Sequence, residues 1–164
     1  ALNLAATRNT EIALHLKDIQ SRNVAELVLN AIPPEALSNT FVFDIPISLG
    51  RRFKELEPRL RIGVSVGDKK YHQYFYDLED MSDGAVDIVW ADEYRNLYNK
   101  EFFQKIREIG MTSYVVSPDI ASLVGHPLAH AGYEDTWENV LMWGASGVCT
   151  DKPRELLSLI SENN

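Results

Sequence analysis

Apolar residues along the chain follow two alternating patterns. Short, nearly continuous apolar runs alternate with stretches in which apolar positions return every three or four residues. The first pattern is typical of buried strands and the second of amphipathic helices, so their regular alternation predicts βα units around a parallel sheet. The predicted strands are residues 12–17, 41–45, 61–66, 86–91, 113–117 and 147–150.

The intervening stretches predict helices that end at proline or glycine. Pro33 and Pro58 follow the first two, and Gly110 and Gly144 follow the last two. The third, which contains the aromatic run 71–76, fits a helix, a strand or a loop. The predicted helices are residues 24–31, 47–56, 71–81, 100–109 and 135–143. This organisation predicts an α/β fold in which parallel βα units form a partial TIM-type barrel.

Length and composition narrow the class of protein. With 164 residues, 45% of them hydrophobic, the chain is expected to form a single domain over residues 1–164. A net charge of -8 argues against a nucleic-acid partner, and no apolar stretch approaches the roughly 20 residues of a membrane span. One cysteine, Cys149, excludes an internal disulfide and favours a cytoplasmic location.

Polar side chains at the ends of predicted strands are the candidate site residues, because parallel sheets bind ligands at the carboxyl ends of their strands. Alternation along the first strand places His15 and Lys17 on one face, where Lys17 offers a positive charge for phosphate. The same pattern is equally consistent with a structural role, in which the histidine is buried and hydrogen-bonded and the lysine extends to the rim. Asp44 ends the second strand, and Trp90 lies on the fourth as either a stacking surface for a substrate or a core residue.

The last strand carries the most specific motif of the chain. Residues 147–153 read Gly-Val-Cys-Thr-Asp-Lys-Pro, so Thr150 and Asp151 lie at the carboxyl end of a strand and Pro153 opens a helix. The sequence Gly-x-x-Thr-Asp-x-Pro resembles the closing strand of glycerophosphodiester phosphodiesterases, which hydrolyse phosphodiesters inside a (β/α)8 barrel. The resemblance implies that Thr150 binds substrate and that Asp151 takes part in catalysis.

A second similarity lies in the first predicted strand. Leu14-His15-Leu16-Lys17 is similar to a Leu-Glu-Ile-Lys-like strand of the same family, whose Glu binds a divalent metal and whose Lys contacts phosphate. The resemblance therefore implies a catalytic and phosphate-binding role for Lys17, with Asp44 and Trp90 as further substrate contacts. It also implies a Mg²⁺ or Ca²⁺ cofactor. His15 stands where the metal-binding Glu is expected, and an imidazole suits a softer ion such as zinc better.

Several motifs of that family do not occur in this chain. The His-Arg-Gly strand, the Glu-x-Asp metal ligands and the family's second motif histidine, which precedes an aspartate, are missing, so the resemblance corresponds to the later part of the barrel, over residues 11–157. Six strands cannot close a barrel, and missing residues or a second copy of the chain in a homo-oligomer would be needed to complete it.

Three functions follow as hypotheses. The first is a metal-dependent hydrolase of small-molecule glycerophosphodiesters, active in lipid metabolism, whose acid and base histidines lie outside the chain. The second is a catalytically inactive relative that binds a phosphorylated ligand or a protein partner, which the histidine at position 15 favours. The third is a flavodoxin-like receiver domain, which suits the short length.

Overall fold

A computed structural model describes residues 2, 7–8, 10–17, 19–67, 76–81, 84–92, 98–117 and 133–162. Within these ranges the strands form one six-stranded parallel sheet, in which every strand pairs with the next one along the chain. All six predicted strands are confirmed. They are β1 (Ile12–His15), β2 (Thr40–Phe43), β3 (Arg61–Gly67), β4 (Ile88–Asp92), β5 (Thr112–Val116) and β6 (Gly147–Cys149).

Helices connect the strands and cover one face of the sheet. Two short 3-10 helices, Pro34–Asn39 and Leu78–Met81, lie among the connections. Of the helix predicted over residues 71–81, residues 71–75 lie outside the described ranges, residues 76–77 are not helical, and only residues 78–81 are helical, as the second of these 3-10 helices. The α-helices are α1 (Val24–Ala31), α2 (Ile47–Leu56), α3 (Lys100–Glu108), α4 (Tyr133–Trp143) and α5 (Pro153–Glu162). No helix of the described residues is long and apolar enough to cross a bilayer.

The sheet is strongly curved. Phe41 on β2 stacks on Tyr114 of β5 with ring centroids 5.4 Å apart, although β3 and β4 lie between those strands. In a flat sheet, strands three places apart are separated by about 14 Å. Glu11, directly before β1, also accepts a hydrogen bond from the Tyr114 hydroxyl. The sheet therefore forms an arc of a barrel, which confirms the predicted fold class, and its sequential strand order excludes the flavodoxin-like alternative.

The two faces of the arc carry different side chains. The convex face is apolar and packs under the helices, with Val64, Val89 and Val115 all 1% exposed or less. The concave face carries aromatic and charged side chains, including the half-buried Trp90. Period-two alternation along each strand produces this division, so the concave face corresponds to the interior of a barrel.

Asp87 joins three strands at the amino-terminal edge of the sheet. Its Oδ2 accepts the backbone N–H of Ile62 at 2.8 Å and lies 2.7 Å from Lys54 Nζ of α2. Its backbone carbonyl accepts the N–H of Thr112 at 3.1 Å. One residue therefore fixes β3, β4 and β5 relative to one another at the edge opposite the candidate site.

The arc is open at both ends. Among the described residues, β1 pairs only with β2, and β6 pairs only with β5. The helices next to these strands expose leucines, Leu27 of α1 at 62% and Leu157 of α5 at 63%. Unpaired strand edges and exposed leucines are the features expected where further βα units would continue a barrel.

Candidate functional site

The carboxyl ends of β1, β2 and β3 bring four polar side chains together. His15 Nε2 lies 3.0 Å from Asp44 Oδ2, and the Ser65 hydroxyl donates to Asp44 Oδ1 at 2.9 Å. Lys17 Nζ lies 3.5 Å from the same Nε2 of His15. Three of the predicted site residues thus form one cluster, and Ser65 is a member that the sequence analysis missed.

The backbone of Asp44 adopts an unusual conformation. Its φ is 57°, and no other non-glycine residue in the described ranges has a positive φ. Asp and Asn tolerate this left-handed region better than other residues, but it is still disfavoured relative to ordinary backbone. Such conformations cluster at functional sites, where they aim a side chain. Here the turn after β2 directs the carboxylate to His15 and Ser65.

The contacts of His15 define its tautomer. A carboxylate accepts hydrogen bonds and cannot donate, so the Nε2 atom that faces Asp44 carries the hydrogen. Nδ1 of His15 makes no hydrogen bond to any described residue. With Nε2 donating to Asp44, Lys17 cannot donate to that nitrogen, and its ammonium has no acidic partner in the described part of the chain. The cluster therefore leaves Nδ1 of His15 without a hydrogen-bond partner, and the Lys17 ammonium without an acidic one, among the described residues.

An aromatic wall adjoins this cluster on the concave face. Phe43 contacts the His15 ring at 4.9 Å between centroids and stacks on Trp90 at 4.3 Å. Trp90 in turn stacks against Tyr114 at 6.2 Å. Trp90 thus belongs to the wall that begins at His15, an arrangement compatible with either of the two roles expected from the sequence.

A charged network lies deeper on the concave face, at the amino-terminal ends of the strands. Glu11 accepts hydrogen bonds from both Arg61 and Tyr114. Burial acts to raise the pKa of Glu11, but the hydrogen bonds from Tyr114 and Arg61 and the charge of Arg61 outweigh it, so the pKa lies below its usual value. Burial first, and then the bond to Glu11, raise the pKa of Tyr114. This network ties the start of β1 to β5 and supports the curvature.

Thr150 and Asp151 follow β6, which is the edge strand of the sheet opposite β1. The Thr150 hydroxyl accepts the backbone N–H of Lys152 at 2.9 Å, closing a local turn before α5, and Asp151 is exposed. The two groups share the carboxyl-terminal rim of the sheet with His15 and Lys17, and their predicted roles stay predictions.

The donor atoms of the cluster do not suit the Mg²⁺ or Ca²⁺ ion that the family resemblance implies. Those ions take six or more oxygen ligands, whereas the cluster offers one ring nitrogen and a carboxylate already bonded to His15 and Ser65. In the described part of the chain no group of three or more His, Cys, Asp or Glu side chains is placed to hold an ion. His15 as a metal ligand accordingly stays a prediction from the sequence.

The fold is shared with solved phosphodiesterase structures. The chain superposes on a protein assigned as a glycerophosphodiester phosphodiesterase from Galdieria sulphuraria, with a TM-score of 0.70 and 17% identity over 93% of this chain and 58% of that one. Two such phosphodiesterases from Parabacteroides distasonis match with TM-scores of 0.66 and 0.67, both at 16% identity over 99% of this chain. They are covered over 63% and 55% of their own lengths.

These matches confirm the resemblance seen in the sequence at the level of the fold. The chain spans 55–63% of the length of these structures, as expected for part of such a barrel. No known protein-family profile matches the chain, and no curated protein sequence does either.

Proposed function

We propose that the chain forms the carboxyl-terminal part of a barrel that hydrolyses small-molecule phosphodiesters of the glycerophosphodiester type. The observation that carries this proposal is Lys17, a cation without an acidic partner among the described residues, at the carboxyl end of β1 and beside the His15–Asp44 pair. The fold shared with phosphodiesterases supports it. Lys17 binds the phosphate anion, because an ammonium is a compact point charge suited to phosphate oxygens.

The other predicted residues take supporting roles in this proposal. Trp90 and Phe43 form the aromatic wall beside the cluster on the concave face, and Thr150 and Asp151 shape the far rim. The acid and base histidines implied by the family resemblance have no counterpart in the chain, so two further βα units would supply them and close the sheet. A second copy of the chain is the other way to complete the arc, and the size of the assembly in solution distinguishes the two.

The test is hydrolysis of glycerophosphocholine and glycerophosphoethanolamine by the protein at its full encoded length. A hydrogen bond to a charged group contributes about 1.5–3 kcal/mol, so Lys17→Ala should raise KM for the diester roughly 10- to 100-fold. Arg59→Ala is the matched control. It removes the same charge at the amino-terminal end of β3, where Arg59 pairs on the surface with Glu57. Equal kinetics for the two variants would refute the role of Lys17.

A catalytically inactive barrel relative is the second candidate, favoured by the imidazole at position 15 and by the lack of an oxygen ligand set for Mg²⁺ or Ca²⁺ among the described residues. This candidate predicts that calorimetry detects binding of the same diesters, that Lys17→Ala weakens it, and that no product forms. Hydrolysis by the unaltered protein would exclude it.

A further inference from the structure

We propose that Tyr98 is a positioning residue of this site, which fixes Trp90 in the aromatic wall beside the cluster. The inference rests on the proposed hydrolysis, in which Trp90 contacts the organic part of the phosphodiester. Its geometric basis is the hydroxyl of Tyr98, which contacts backbone groups of both β4 and β5 at the carboxyl ends of those strands. Tyr98 needs no contact with the substrate, because it acts through Trp90.

The hydroxyl of Tyr98 joins the carboxyl ends of two neighbouring strands. It accepts the backbone N–H of Val116 at 3.1 Å and lies 2.7 Å from the carbonyl oxygen of Ala91 and 2.9 Å from that of Val116. One hydroxyl hydrogen can serve only one carbonyl at a time, and the shorter distance favours Ala91. Ala91 is 0% exposed and Val116 is 6% exposed, so the hydroxyl satisfies backbone groups that have little access to water.

Helix α3 holds Tyr98 in this place. Tyr98 comes directly before Asn99, the N-cap of α3, whose side chain accepts the backbone N–H of Phe102 at 2.9 Å. The Tyr98 ring packs against the buried Phe103, with ring centroids 6.3 Å apart. A capped helix start and a buried aromatic contact therefore present the hydroxyl to the sheet, and the link joins one helix to two strands.

Trp90 lies directly before Ala91, so the hydrogen bond to the Ala91 carbonyl fixes the residue that follows Trp90. The Trp90 ring stacks on Phe43 of β2 with centroids 4.3 Å apart, although β3 lies between the two strands and pairs Ser65 with Trp90. Phe43 in turn contacts the His15 ring at 4.9 Å. A displacement of β4 at its carboxyl end therefore changes the stacking beside the cluster.

The first experiment observes Trp90 in the absence of substrate. The full-length protein is labelled with 5-fluorotryptophan, and the ¹⁹F NMR resonance of Trp90 is assigned from its loss in Trp90→Phe. Tyr98→Phe keeps the ring and removes the hydroxyl, and it should shift or broaden this resonance. Tyr76→Phe is the matched control, because the Tyr76 hydroxyl also accepts a backbone N–H, that of Ile47, at 3.1 Å. An unchanged Trp90 resonance in Tyr98→Phe, or an equal change in the control, overturns the proposal.

The second experiment separates positioning of the substrate from binding of its phosphate. Tyr98→Phe should raise KM for glycerophosphocholine about 3- to 10-fold, as loss of one neutral hydrogen bond does, with little change in kcat. Competitive inhibition by inorganic phosphate, which Lys17 binds in the proposed function, should be unchanged. A parallel weakening of phosphate inhibition would show general damage to the site and overturn the positioning role.

A double-mutant cycle tests whether Tyr98 acts through Trp90. Effects of residues on one line of contacts are not additive, whereas independent effects add. Tyr98→Phe should therefore have no further effect on KM in a Trp90→Ala background, and additive effects overturn the proposal while leaving the hydrolase intact. If the unaltered protein binds the diester without hydrolysing it, the same cycle is measured on the dissociation constant by calorimetry. If it does neither, both proposals are refuted.

Discussion

Replacing Asp87 by alanine should destabilise the protein by about 2–4 kcal/mol without changing the candidate site. The substitution leaves the N–H of Ile62, a residue 0% exposed, without its side-chain acceptor, which costs about 1–3 kcal/mol. It also removes the ionic partner of Lys54, whose side chain is 18% exposed. Asp87 is itself 33% exposed, and Lys54 keeps a hydrogen bond to the Pro58 carbonyl at 3.3 Å. Loss of the Lys54–Asp87 ion pair should therefore cost only about 1 kcal/mol of stability.

The assay is urea unfolding of the full-length protein followed by circular dichroism. Asp87→Asn keeps an oxygen for the Ile62 N–H and loses only the charge, so it should cost about 1 kcal/mol. Glu55→Ala is the control, because Glu55 is 66% exposed in its pair with Arg52 and should change stability by less than about 0.5 kcal/mol. If Asp87→Ala matched Glu55→Ala, the proposed link between β3 and β4 would be wrong. If Asp87→Asn and Asp87→Ala lowered the free energy of unfolding equally, the whole effect would come from the lost charge and not from the hydrogen bond.

Three further predictions concern residues of the sheet and of the helix α4. Tyr114 should titrate above its ordinary pKa of 10.0 in tyrosine ¹³C NMR, and Glu11→Gln should lower that value only in part, because burial is the larger cause. Since the folded pKa is the higher one, the stability linked to Tyr114 is present below pH 10 and is lost as pH rises through the folded value; constant stability across that range would contradict it. Trp137→Phe should cost about 2 kcal/mol in urea unfolding, because Trp137 is 0% exposed and donates to Ser117 at 2.7 Å. Gly63→Ala should cost about 1–3 kcal/mol, because a Cβ there would lie 3.0 Å from the Cβ of an aromatic side chain on β2, and a neutral result would show that the strands can move apart.

The strands were predictable because their signal is local. Residues 61–66 form an apolar run bounded by Pro58 and by polar residues, and the structure contains β3 at that place. Boundaries were less accurate. The fourth strand was expected to begin at residue 86, but its pairing with β3 begins at Ile88. The residue before it, Asp87, instead accepts the backbone N–H of Ile62 with its side chain. The 3-10 helix Pro34–Asn39 was missed, since its prolines were interpreted only as the end of α1 although proline is also favoured in a first helical turn.

The candidate site was predictable only in part. His15, Lys17 and Asp44 could be found because each lies at the carboxyl end of a strand, and parallel strands bring those ends to one edge. Ser65 lies within the apolar run of β3, and nothing in the local sequence indicates that its hydroxyl bonds to Asp44. The bond between Glu11 and Tyr114 joins residues far apart in sequence and depends on the curvature, which no local pattern encodes.

The sequential order of the strands has a consequence for how the chain acquires its structure. Because every strand pairs with the one before it, each strand pairing closes within one βα unit, and folding can proceed by adding one unit after another during synthesis. The contacts of Glu11 and of Phe41 with Tyr114 of β5 require segments far apart in the sequence to meet. We therefore expect ribosome-bound intermediates to gain protease resistance in steps, each coinciding with the emergence of a complete unit from the exit tunnel.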